Sequence, residues 1–209
     1  MADPLAPYRW VDRPENVLEE VFSVSFFRGL TPSEVLFRFA APDAAGEEVA
    51  FPELWDLGDE HPLESEGGHV GVVQANGWSV AVELGGWTAV ETGHASDLSR
   101  GCEMVAVLRH DHATDRFVYA VDGEVVTGFV PPWPLGGWGS DPGRLNEAMH
   151  RLGMPTARPV DDGAADALFR RLHRDKIALT FALAAEITGV PFTRDLTGFP
   201  FLAAPVRGR

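Results

Sequence analysis

Cysteine occurs once, at Cys102, and lysine once, at Lys176. A lone thiol can neither close an intramolecular disulfide nor supply a thiolate cluster for a structural metal. The fold must therefore hold without staples, as suits a reducing compartment. Long apolar runs are missing too: the longest, Ile177 to Ala185, is broken by Thr180 and stopped by Glu186, well short of the roughly 18 residues a membrane-spanning helix needs. The opening residues, MADPLAPYRW, have neither a basic n-region nor an apolar h-region, so no signal peptide is expected and the reading is cytoplasmic. Positive charge is scarce. With 17 basic against 31 acidic residues the chain carries a formal charge of -14, which repels phosphate backbones and anionic lipid and argues against nucleic acid or membrane as a partner. There is no Gly-x-Ser-x-Gly elbow, and neither Gly85-Gly86 nor Gly136-Gly137 sits in a phosphate-loop context. Nucleophilic serine chemistry and nucleotide binding lose their usual signatures, and no cofactor is implied.

What remains is ordinary globular material: 209 residues, 45% hydrophobic and 23% charged. That length buries roughly 70% of the surface of the unfolded chain, and a single α+β domain over 1–209 is expected. Helical signals open the chain. Glu15, Glu19 and Glu20 after Pro14, with a stripe of Val17, Val21, Phe22 and Val24, predict a helix to about Phe27 that stops at Gly29. Thr31-Pro32-Ser33-Glu34 is a capping box that starts a second helix, completing a helical hairpin over about 14–40. Residues 40–68 read as a long loop, rich in Pro, Gly, Asp and Glu, with room for one short strand. Asn76-Gly77 and Asp122-Gly123 mark two tight hairpins, since both turn positions need positive φ. Pairing outward from the first sets Ala75 beside Trp78, Val73 beside Val80 and Gly71 beside Val82. Together with a strand over Glu103 to Arg109, these predict an antiparallel meander of about five or more strands spanning 69–130. Helices follow over 141–189: a short one through Leu145 and Met149, then a long one from Ala164 to Thr188, ended by Gly189.

The stretches FFRGLTPSEVLFRF, GWSVAVELGGW, LSRGCEMVAVLRH, FVYAVDGEVVTGFVPPWP, GSDPGRLNEAM and ALAAEITGVPFT occur in that order between about Pro14 and Thr193. In this the chain resembles a family of uncharacterised actinobacterial proteins, best known from Streptomyces and known only as a domain of unknown function. The resemblance implies an actinobacterial cytosolic setting and one shared architecture, and it brings no activity. Where that family often has a cysteine in the first expected helix, this sequence has Ser23 and Ser25. The dominance of arginine over lysine independently suggests a high-GC genome.

Three features could carry function. His110 and His112, two apart at a strand end beside Asp111 and Asp115, could give an N/O metal site, or form a solvated turn. Glu83 lies on the strand face opposite Trp78, Val80 and Val82 and could serve as a general base, or point to solvent beside an arginine. Trp133 and Trp138, stiffened by Pro131, Pro132 and Pro134, either present a binding surface or fold back to seal the core, and Trp55 and Trp87 share that ambiguity. The reading adopted is a non-enzymatic interaction module, such as an adaptor, regulator or immunity-like protein, whose partner is another protein. A metal-dependent hydrolase using His110, Asp111 and His112, with Glu83 or His94, is the alternative, and a small-ligand sensor with a pocket between the sheet and the C-terminal helix is a third.

Overall fold

The computed structural model describes residues 3–13, 16–18, 20–40, 44–59, 68–157 and 161–207. One antiparallel sheet of eight strands runs through it: β1 (Val21–Arg28), β2 (Glu47–Val49), β3 (His69–Ala75), β4 (Trp78–Leu84), β5 (Glu103–His110), β6 (Arg116–Val121), β7 (Glu124–Phe129) and β8 (Phe201–Pro205). Their order across the sheet is β2-β8-β3-β4-β1-β5-β6-β7. Six helices, α1 (Pro32–Phe39), α2 (Glu53–Asp59), α3 (Thr92–Leu98), α4 (Asn146–Arg151), α5 (Asp162–Arg174) and α6 (Lys176–Thr188), lie around it. The α+β class and the antiparallel sheet agree with the sequence reading. No helix among the described residues is long and apolar enough to cross a membrane.

The first predicted helix is instead the central strand. β1 pairs with β4 on one side and β5 on the other, with Val24 opposite both Val82 and Val107. Its side chains alternate: Phe22, Val24 and Phe26 enter one core and Phe27 the other, with the small Ser23 and Ser25 on the same side as Phe27. The helix-like spacing of Val17, Val21 and Val24 arose because a strand buried on both faces needs no polar alternation. Pro14, Glu15 and Glu19, expected to open that helix, lie outside the described residues. The insertion of β1 also breaks the expected meander, since β4 and β5 are not neighbours.

Both hairpins form where expected. Asn76 and Gly77 take φ of 47° and 79°, Asp122 and Gly123 49° and 83°, and the register Ala75↔Trp78, Val73↔Val80, Gly71↔Val82 is as derived from the turn. Two further strands extend the sheet: β8, in a stretch for which no element was expected, adds to the outer edge of β3, and β2, the one short strand expected within the long loop, adds to β8. The capping box of α1 is complete, with Glu34 N donating to Thr31 Oγ1 and Thr31 N donating to Glu34 Oε2. The long C-terminal helix is two helices that part at Asp175, where Lys176 forms an ion pair with the buried Asp115 and Asp12 accepts from Ala178 N at the start of α6.

Side chains on the two sheet faces build separate cores. On one face α6 buries Ile177, Phe181 and Leu183 against β1 and β5, and four rings run in file: Phe22 to Phe181 at 6.3 Å, Phe181 to Phe192 at 5.0 Å, Phe192 to Trp10 at 5.8 Å. On the other, α1 and α3 cover Phe27, Ala81, Met104, Ala106 and Ala120. Phe181→Ala removes a ring held between two others and should lower the unfolding free energy by about 3–5 kcal/mol. Phe37→Ala, at a side chain 72% exposed, should change it by less than about 0.5 kcal/mol. Urea titrations of both variants measure the difference, and equal midpoints would overturn this packing account.

Candidate functional site

Several of the candidate residues meet at one end of the sheet. Glu83, near the end of β4, is 1% exposed. The expected solvent-facing glutamate beside an arginine is therefore corrected: its carboxylate turns inward and accepts Thr88 N at 2.9 Å and Ala89 N at 3.2 Å. Across the ladder it stands opposite Ser23. Burial pushes the carboxyl above the usual range, against the lowering influence of Thr88, of the two backbone N–H groups and of Ser23. Glycine at 86 makes this possible, because a Cβ there would come within 3.0 Å of Glu83 Cβ and 3.1 Å of Oε1. The sequence signal for the clasp was Glu83 followed closely by Gly85-Gly86.

By holding the 3-10 turn Thr88–Val90, Glu83 sets the position of Trp87, whose ring lies 5.5 Å from that of His110. The two rings wall a cleft of about 280 Å³, with Glu91, Leu108, Thr114 and Arg116 around it. Glu91 accepts from Trp87 Nε1 at 3.2 Å and lies 3.0 Å from His94 Nδ1. β5 ends at His110, and His110 and His112 approach Asp111 through its two oxygens, at 3.8 Å and 2.9 Å. Asp115 turns the other way, accepting His110 N at 3.0 Å and pairing with Lys176. Among the described residues no three His, Cys, Asp or Glu side chains converge as metal ligands.

The two tryptophans of the proline segment go to different faces of the sheet. Trp138 runs beside β7, exchanging hydrogen bonds with Gly128 at 2.8 Å each way. Its indole occupies the space a side chain at 128 would need, and it packs on the α1–α3 core. Ser140 N and Asp141 N continue the pairing to Val125 O and Val126 O. Trp133 packs on the opposite core, only half-buried, with Phe169 of α5 at 6.3 Å. Phe169 is 45% exposed and stacks on His173 at 5.6 Å. Trp133, Ala165, Asp166 and Phe169 line an open groove of about 280 Å³. Trp55 stands apart, donating Nε1 to Val17 O at 3.4 Å beside Phe51 and Thr197. Of the five proposed binding residues the structure thus brings Glu83 and Trp87 together, places Trp133 on an open groove, and leaves Trp138 and Trp55 elsewhere.

Phe169 and Asp166 escaped the sequence reading. The signal was there: Phe169 follows the buried-side Leu168 directly, so a large ring sits off the apolar stripe that Leu168 and Leu172 define.

The sequence model of a family described as of unknown function, DUF6461, matches residues 1–203, and the chain belongs to that family. No curated protein and no solved structure matches the chain.

The buried carboxyl has a measurable signature. Glu83 holds its proton more tightly folded than unfolded, so its contribution to stability is complete below the unfolded value of about 4.3 and is lost as pH rises through the higher folded value. Glu83→Gln, which keeps one acceptor, should lose less stability than the parent between acid and neutral pH. Urea unfolding across that range would show the two profiles converging as pH rises, and parallel profiles would contradict the assignment.

Proposed function

We propose that the protein is a non-enzymatic interaction module that docks another protein at the groove between Trp133 and α5. The observation that carries this reading is the ring pair Trp133–Phe169, with Phe169 left 45% exposed on a helix whose other large apolar side chains turn inward. Aromatic side chains of this kind offer much contact area at small ordering cost and are enriched where binding energy concentrates. Pro131, Pro132 and Pro134 stiffen the segment that delivers Trp133, so little freedom is lost when a partner seats there. The groove is small and open, which suits a protruding side chain better than an engulfed cofactor.

The carboxylates that acid–base chemistry would require support the same reading. Both oxygens of Glu83 are engaged by backbone N–H groups, and Asp115 is shared between His110 N and Lys176. The single cysteine and the near-exclusive use of arginine fit an actinobacterial cytosolic protein, and the charge of -14 favours a neutral or basic partner.

A photo-crosslinking amino acid at the exposed Arg170 should yield a discrete adduct in the protein's own cells. Phe169→Ala should leave stability within about 0.5 kcal/mol and cut the adduct at least about tenfold. An adduct undiminished by Phe169→Ala sinks the proposal.

A further inference from the structure

We infer that the groove between Trp133 and Phe169 receives an arginine side chain from the partner protein, an inference that rests on the docking reading above. The groups on the groove present one sign of potential. The rings of Trp133 and Phe169, 6.3 Å apart and inclined at 53°, form an open angle, and an aromatic face attracts a cation through its quadrupole. The floor is the buried methyl of Ala165, and the one charged group on the lining is the carboxylate of Asp166. Asp166 is exposed, and no ion pair or hydrogen bond engages its carboxylate among the described residues.

Arginine suits this lining better than lysine. A planar guanidinium can stack on a ring and meet a carboxylate with two parallel N–H groups at once, whereas an ammonium is a compact, strongly hydrated point charge. A volume of about 280 Å³ accepts one long side chain and little more. Charge complementarity acts at longer range as well, since a chain of formal charge -14 draws a basic surface toward it before contact. The start of α5 is acidic, with Asp161 capping Ala164 N at 2.7 Å and Asp166 one turn on. Arg170 and Arg174 occupy the later turns; Arg170, four residues after Asp166 and like it among the described residues, forms no ion pair with it and is a like charge beside an incoming guanidinium.

The probe is the tripeptide acetyl-Gly-Arg-Gly-amide, titrated into the full chain while the indole N–H signal of Trp133 is followed by NMR, with Trp133→Phe identifying that signal. The arginine peptide should move it saturably. The same peptide with citrulline, which keeps the shape and loses the charge, should bind at least about tenfold more weakly, as should the arginine peptide to Asp166→Asn. Arg170→Ala should tighten binding. Equal responses to arginine and citrulline, or an unchanged affinity in Asp166→Asn, would overturn the inference. The two proposals fail separately: a cross-link from position 170 that survives Asp166→Asn but not Phe169→Ala removes the arginine and keeps the docking groove, whereas one that survives Phe169→Ala removes the groove itself.

Discussion

The constraint on which the architecture depends is the burial of β1 between two partners. A strand covered on both faces and hydrogen-bonded along both edges leaves its peptide groups no access to water, so each must find its partner in β4 or β5. That requirement joins the hairpin β3–β4 to the β5–β6–β7 unit and makes one sheet of two halves. It also assigns the residues of β1. Large Phe22 and Phe26 reach into the thick core under α6, while Ser23 and Ser25 keep the opposite side shallow, where Glu83 and the turn at Thr88 come close.

Local chemistry was legible in the sequence, and long-range choices were not. Asn76-Gly77, Asp122-Gly123 and the Thr31 capping box each act within four residues, so the hairpins, their register and the start of α1 could be read directly. β1 could not, because a strand apolar on both sides loses the alternation that distinguishes it from a buried helix. β8 follows Pro200 and ends in Pro205, residues that usually demote a strand, and its place beside β3 depends on a segment some 130 residues earlier. The parting of α5 from α6 follows no local breaker. It coincides with the pairing of Lys176 to Asp115, a tertiary contact that helical periodicity cannot reveal.

The candidate site divides along the same line. Composition identified Trp133, Trp138, Trp87 and Glu83 as residues to explain, but five positions of chain separate the first two, enough to carry them to opposite faces of the sheet. Glu83 illustrates a conflict between roles. A carboxylate that accepts two backbone N–H groups in a buried turn holds the wall of the Trp87–His110 cleft in place, and it could exchange protons with a substrate only by giving up that hold. Asp166, by contrast, is exposed on the lining of the Trp133–Phe169 groove.

The pairing of Trp138, Ser140 and Asp141 along β7 has a colloidal consequence. An unclosed sheet ends in two rows of peptide groups able to template a neighbouring molecule, the usual route to fibrils. Here one row is capped by the chain's own return, and the other ends in the three-residue β2, two of whose residues are exposed glutamates that repel their counterparts. A concentrated solution of this protein should thus resist polymerising through the edges of its sheet.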